Sequence, residues 1–215
     1  MSKDTQLIQA FVRDERVQNR INDLLKDDDL VRQFTTSLLA ITNSNPTLAK
    51  CTPESLFNGS LTAASMQLPI NQNLGYAYLV PYKNKYGEYE AQFQVGYKGW
   101  LQLAQRSGQY RSIAATPVYE GQLLSNDPLR GIRFEWSVEA KGDPIGYAAY
   151  FELVYGFEKT LYMTTSQVRA HAERYSQSLK RDIREKKKDS LWTTDFEKMA
   201  LKTVLKQLIS KLDRL

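Results

Sequence analysis

Apolar residues recur every three or four positions along the first third of the chain, the spacing of helices that bury one face. Two such stretches cover residues 4–26 and 29–43, separated by the aspartates Asp27–Asp29, which suit a helix start. A third starts with Thr52 as N-cap and Pro53 at the first helical position. The pattern therefore predicts a helical segment up to about residue 66.

Strict alternation of polar and apolar residues then predicts strands. Glu88–Val95 alternates throughout, and residues 75–82 are its predicted partner across a loop at Lys83–Gly87. A short helix follows Gly96 and ends at Gly108. Further strands are predicted at residues 111–119, 131–139, 145–155 and 158–164.

The third of these later strands is bounded by turn residues, Lys141–Pro144 before it and Gly156-Phe157 after it, which favour antiparallel hairpins. In the strand at 131–139, alternation places four apolar side chains on one face: Ile132, Phe134, Trp136 and Val138.

Helical spacing returns at residues 166–179 and 194–213, the second with a predicted capping box of Thr194 and Glu197. The cation-rich run at 180–188 is interpreted as a flexible basic loop that contacts phosphates non-specifically. The predicted fold is α+β: N-terminal helices, an antiparallel β-sheet with an embedded short helix, and C-terminal helices. Residues 1–45 are expected to mediate oligomerisation, and residues 46–215 to form the functional core.

Composition narrows the class of protein. The 215 residues are 42% hydrophobic and 25% charged, as in ordinary globular proteins. Cys51 is the single cysteine, so an internal disulfide is excluded. The polar N-terminus lacks the apolar core of a signal peptide, and no apolar run approaches a membrane span. These features predict a cytoplasmic protein without membrane contact.

Charge is unevenly distributed. The net charge is +5, yet no acidic residue lies between Glu90 and Glu120, and cations outnumber acids from Gln167 to Lys188. Cation-rich stretches that a fold can bring together suit a surface that binds a polyanion. Unrelated solvated faces are the alternative.

Little in the chain suggests catalysis. His171 is the single histidine and is expected at the surface, and no glycine-rich phosphate loop of an ATPase occurs. Glu88 and Glu90 share a strand face, which could suggest a nuclease metal site, although the solvent face of a hairpin is the favoured interpretation. We expect a non-enzymatic protein without a cofactor or metal.

The turn Gly96-Tyr97-Lys98-Gly99 is the most informative local pattern. Glycine permits close backbone approach to a ligand, and the first turn of a helix attracts anions, so Lys98 could sit beside a phosphate site. An ordinary strand-to-helix turn is the alternative. Tyr97 and Tyr110 could stack on bases or pack in the core.

Other cations extend this candidate track. They are Lys83 and Lys85 on the hairpin loop, Arg106 late in the short helix, and Arg111 after Gly108. On the last helix, Lys198, Lys202 and Lys206 are spaced four apart and form a stripe without acidic partners.

Four motifs in order carry a family resemblance: Cys51–Leu56, Leu74–Lys85, Gln94–Gly99 with Leu103–Gly108, and Trp192–Thr203. In this order and spacing they resemble the RecT family of phage single-strand annealing proteins. One departure is Met66–Asn71, which stands where a glycine-containing stretch is expected.

The resemblance implies ATP-independent binding of single-stranded DNA and annealing of complementary strands in phage homologous recombination. It also implies a ring or helical filament of identical subunits, a partner 5′→3′ exonuclease, and a bacterial host cell. It assigns DNA contacts to Lys98, Arg106 and Lys202. A protein that coats single strands without annealing them is the alternative.

Overall fold

The computed structural model describes residues 3–210 and divides the chain into two compact units, Met1–Gln102 and Leu103–Leu215. The expected oligomerisation segment, residues 1–45, lies within the first unit.

The first unit opens with five helices. Their bounds are α1 (Lys3–Arg13), α2 (Glu15–Leu25), α3 (Asp28–Ser44), α4 (Pro46–Ala49) and α5 (Pro53–Ser65). The prediction of one helix over 4–26 is wrong, because Asp14 ends α1 and caps α2 by accepting hydrogen bonds from the backbone N–H groups of Arg16 and Val17. The predicted break at the three aspartates is confirmed: the Asp27 carboxylate accepts the N–H groups of Asp29 and Leu30.

Thr52 does occupy the N-cap of α5, although its side chain makes no capping bond. At the other end of α5, Gln67 has φ of +52°, in the left-handed region. Its N–H donates to the Ala64 carbonyl (2.8 Å), and the Leu68 N–H donates to the Ala63 carbonyl (2.9 Å), which closes the helix. A glutamine thus takes the conformation for which the resemblance leads one to expect glycine.

Phe57 of α5 lies at the centre of this helical core and is fully buried. The rings of Phe11 and Phe34 meet it edge-on, with centroids 5.9 and 6.1 Å away. Aromatic pairs in this geometry gain about 0.5–1.5 kcal/mol beyond their buried area. The Phe57 side chain of α5 therefore contacts both α1 and α3.

The hairpin of the first unit consists of β1 (Ala77–Lys83) and β2 (Tyr89–Val95), antiparallel, with Leu79 opposite Phe93. The start of α5 lies along β2: the Thr52 N–H donates to the Tyr89 carbonyl (2.9 Å), and the Ala91 N–H donates to the Ser55 hydroxyl (2.9 Å). The predicted short helix is α6 (Tyr97–Ser107), and Gly108 ends it with φ of +65° as expected.

The second unit holds β3 (Tyr110–Val118), β4 (Leu123–Asp127), β5 (Gly131–Phe134), β6 (Gly146–Leu153) and β7 (Glu158–Thr164). The order β3-β6-β7 forms an antiparallel sheet, and β4 and β5 form a separate hairpin. Gly156 (φ +89°) lies in the turn from β6 to β7, as predicted. The Lys141–Pro144 turn joins no hairpin, since β5 pairs with β4 and β6 pairs with β3 and β7.

The strand predicted at 131–139 is too long. It ends at Phe134 because the Glu135 carboxylate accepts both the N–H and the hydroxyl of Ser137, which turns the chain. Trp136 therefore does not continue the strand and stacks on Phe134 at a centroid distance of 4.7 Å. Strand β4 was not predicted.

Four helices follow: α7 (Thr165–Tyr175), α8 (Gln177–Glu185), α9 (Leu191–Thr194) and α10 (Phe196–Ser210). The helix predicted at 166–179 breaks at Ser176, whose hydroxyl caps α8 by accepting the Leu179 N–H. The prediction of a flexible loop over 180–188 is wrong up to Glu185, since α8 covers that part. Residues 211–213 of the last predicted helix lie outside the described residues.

The capping box predicted for Thr194 and Glu197 does not form, because α9 ends at Thr194 and Asp195 precedes α10. A capping box is present instead at the start of α7, between Thr164 and Gln167.

The core of the second unit lies between the three-stranded sheet and its helices. Phe151 of β6, Val168 of α7 and Val204 of α10 are fully buried in it. Helices precede and follow the antiparallel sheets, and α6 lies between β2 and β3, which confirms the α+β class. Among the described residues, no helix combines the length and apolarity that crossing a membrane requires.

Candidate nucleic-acid interface

The hairpin loop between β1 and β2 is held rigidly by Asn84. Its side-chain amide donates to the carboxylates of Glu88 (3.1 Å) and Glu90 (2.8 Å). Its carbonyl oxygen accepts the N–H groups of Tyr86 (2.9 Å) and Glu88 (3.0 Å). The two glutamates suggested as a nuclease alternative are therefore held by an amide, and the described residues contain no group of three potential metal ligands.

The two lysines of this loop lie over aromatic rings. The Lys83 ammonium is 5.3 Å from the Tyr89 ring centroid, and the Lys85 ammonium is 4.9 Å from that of Tyr86. The Tyr86 side chain is 76% exposed. An exposed ring with a cation beside it suits stacking on a base together with contact to its phosphate.

The glycines of the Gly96–Gly99 turn have a packing role. A Cβ on Gly96 would lie 2.2 Å from the Gly75 carbonyl oxygen, and one on Gly99 would lie 2.2 Å from that of Tyr76. The Gly96 N–H also donates to the Tyr76 carbonyl (2.8 Å). The close approach expected for a ligand is thus made by the chain's own backbone, and Lys98 is left exposed.

The two tyrosines proposed for base stacking lie in different surroundings. Tyr97 is half-buried near Tyr78, whose pKa is raised by burial and, to a lesser extent, by Tyr97 itself. Tyr110 packs edge-on against the buried ring of Phe151, with centroids 5.5 Å apart. The core alternative therefore holds for Tyr110.

The arginines of the candidate track differ in their contacts. Arg106 is exposed in the last turn of α6. Arg111 on β3 reaches across to β6, where its guanidinium forms a salt bridge with Glu152 (2.5 Å) and donates to the Val154 carbonyl (3.0 Å). An acidic partner thus already offsets part of the charge of Arg111.

The stripe on α10 is not free of acids, contrary to expectation. Lys198 forms a salt bridge with Asp195, which raises the pKa of Lys198 and lowers that of Asp195. Lys202 and Lys206 are half-buried, and desolvation lowers the pKa of Lys206. The environment of Lys198 therefore differs from that of Lys202 and Lys206.

His171 is half-buried rather than at the open surface. Its Nε2 lies 3.0 Å from the side-chain nitrogen of Gln207, and its ring lies 4.7 Å from that of Tyr175. These contacts join α7 and α10.

A family model matches most of the chain, from residue 32 to residue 212, and its description is the RecT family. The chain belongs to the RecT family. Every side chain proposed above for DNA contact lies within the matched range, from Lys83 to Lys206.

Two curated proteins are similar to this RecT-family chain. Uncharacterized protein YqaK of Bacillus subtilis (strain 168) is 46% identical over 180 residues, which cover 83% of this chain and 58% of that protein. Protein RecT of Escherichia coli (strain K12) is 28% identical over 196 residues, which cover 85% of this chain and 65% of that protein. The chain therefore spans less than two thirds of the length of these relatives.

Sequence reasoning placed a loop at residues 186–188 of this RecT-family chain, but missed the residue that organises it. The connection from α8 to α9, residues 186–190, is organised by Asp182, which is only 2% exposed. The charge of the run was evident in the sequence, whereas the burial of one acid among so many cations had no signal in the apolar spacing.

Proposed function

We propose that this chain binds single-stranded DNA without sequence preference and anneals complementary strands without ATP, in phage homologous recombination. The RecT family match over residues 32–212 carries the proposal. The similarity to Protein RecT of Escherichia coli supports it.

Exposed cations support a contact with phosphates. Lys83 and Lys85 lie on the rigid hairpin loop, and Lys98 and Arg106 lie on α6. Phosphate contacts position a strand but carry no sequence information. A strand held in this way would keep its base edges available, so that the second strand reads the sequence.

The same proposal covers the assembly. Identical subunits in a ring or helical filament would extend the DNA-binding surface, with residues 1–45 as the proposed subunit contact. A 5′→3′ exonuclease would supply the single strands, and the reaction would take place in the cytoplasm of the bacterial host. No cofactor is required.

An annealing assay tests the function. Complementary oligonucleotides are mixed with and without the protein, in the absence of nucleotide and in the presence of a chelator, and duplex formation is followed by fluorescence. Faster pairing is the expected result. Slower pairing would favour a protein that coats single strands, and degradation that requires a metal would indicate a nuclease.

Lys98→Ala tests the proposed site in the same protein. We expect weaker binding of a labelled single strand and a log–log salt dependence flattened by up to about one unit. Lys50→Ala is the matched control, because Lys50 is also an exposed lysine of the first unit and is outside the proposed site. Equal affinities and slopes for the two variants would remove Lys98 from the site.

A further inference from the structure

The connection between α8 and α9 is built around one buried carboxylate. Asp182 Oδ2 accepts the Ser190 N–H (2.8 Å) and the Thr193 hydroxyl (2.9 Å). The Asp182 main-chain carbonyl accepts the N–H of Lys186 and that of Lys187, the latter at 3.0 Å. Both ends of the connection are therefore fixed to the same residue, which leaves little freedom to the lysines between them.

Lys186 adopts a backbone conformation that its residue type disfavours. Its φ of +52° and ψ of +38° place it in the left-handed region, as the C-cap of α8. Glycine or asparagine is usual at such a position, because a Cβ there crowds the backbone. Lys186 thus ends α8 and begins the connection, as Lys26 in the same conformation ends α2.

The cations of this element are only partly neutralised. The Glu185 carboxylate forms salt bridges with the side chains of Arg184 (2.9 Å) and Lys187 (3.2 Å). Lys186 and Lys188 are exposed and form no ion pair with any residue between 3 and 210. Besides Glu185, the exposed acid in this element is Asp189, while the carboxylate of Asp182 is directed at Ser190 and Thr193.

We propose that the α8–α9 connection is a preformed site for the phosphates of single-stranded DNA, with Lys186 and Lys188 as contacts and Asp182 as the residue that positions them. This inference rests on the proposed function, of which it names a further binding element. A loop that is already ordered loses less conformational entropy when it binds than a flexible one does. An acid thereby strengthens the binding of an anion.

The first test is the double variant Lys186→Gly and Lys188→Gln in the full chain, titrated with a fluorescent oligothymidine over a series of salt concentrations. Loss of two phosphate contacts should flatten the log–log salt slope by about 1.4 units, at about 0.7 per phosphate on a single strand. The control carries Lys50→Gln and Lys141→Gln, two exposed lysines outside this element, and has the same change in net charge. Its slope should stay near that of the unmodified protein.

The second test is Asp182→Asn, because the two explanations predict opposite signs. Removal of a negative charge would tighten DNA binding if only net charge mattered. If Asp182 positions the lysines, binding weakens and the salt slope falls despite the added positive charge. Thr193→Val, which removes a single hydrogen bond to Asp182, gives the same direction with a smaller loss and serves if Asp182→Asn does not fold.

Three outcomes would overturn the inference. The first is a salt slope of the Lys186→Gly, Lys188→Gln double variant that equals the slope of its control. The second is a double variant that loses affinity for duplex DNA but not for single-stranded DNA. The third is tighter binding by Asp182→Asn. Each of these presupposes that the unmodified protein binds and anneals. If it does not, the proposed function itself fails, and the inference fails with it.

Discussion

Gly99→Ala tests why the first turn of α6 contains glycine: either the glycine allows close packing against the chain's own backbone, or it allows a ligand to approach. The new Cβ would lie 2.2 Å from the Tyr76 carbonyl oxygen and 2.9 Å from Val95 Cγ1. Real Cβ atoms do not approach so closely, and a backbone oxygen in a paired segment cannot rotate away. The hairpin and the first turn of α6 must therefore move apart.

Two effects of opposite sign set the magnitude. Over-packing of a well-packed site costs about 1–3 kcal/mol. Alanine is favoured over glycine inside a helix by up to about 1 kcal/mol. Because the clash is with the main chain, the cost should lie near the upper end, and we expect a net loss of about 2 kcal/mol in the free energy of unfolding.

Gly59→Ala is the matched control, since Gly59 is also helical and buried. Its Cβ would meet the Leu79 Cδ2 atom at 2.7 Å, the end of a side chain that can change rotamer. Urea unfolding followed by circular dichroism measures both variants, with the m-value as a check that the same surface is exposed. If Gly99→Ala is as stable as Gly59→Ala or more so, the packing explanation is refuted.

Three further predictions concern single contacts. Glu152→Gln should lower the free energy of unfolding by no more than about 1 kcal/mol, because the Arg111–Glu152 salt bridge is partly exposed. The variant releases Arg111 and should therefore bind a labelled oligonucleotide more tightly, whereas weaker binding would contradict this. Gln67→Gly should raise the free energy of unfolding by about 1 kcal/mol, because glycine has no Cβ to crowd the backbone in the left-handed conformation of residue 67. A lower midpoint of urea unfolding would contradict this. Burial, with a smaller contribution from Glu90, raises the pKa of the Cys51 thiol to about 11. A disulfide reagent at pH 8 should therefore label the native protein far more slowly than the urea-unfolded protein, and equal rates would contradict a buried, protonated thiol.

Local signals were sufficient for much of the fold. The alternation of β2, the cap at Asp27 and the stop at Gly108 each depend on residues within a few positions of one another, and all three predictions are confirmed. The prediction of a strand over 131–139 was wrong beyond Phe134. The Glu135 carboxylate accepts the Ser137 N–H, which turns the chain, and the continued alternation of apolar residues gives no sign of this bond.

Contacts between residues distant in sequence could not be predicted from the sequence. The pairing of Arg111 with Glu152 depends on the register of β3 against β6, which periodicity alone does not determine. Helix α8 was missed because its apolar positions are few and one of them, Ile183, is 60% exposed. A charge run over such a weak apolar stripe is typical of a loop, and the buried Asp182 that orders it becomes apparent only in the fold.

Each outer edge of the hairpin in the first unit carries a feature that opposes strand addition. On β2, the outward groups of Tyr89 and Ala91 are already bonded to the start of α5. On β1, Pro81 stands opposite Ala91 and has no N–H to offer at the corresponding outward position. These two features disfavour the addition of a further strand to this hairpin.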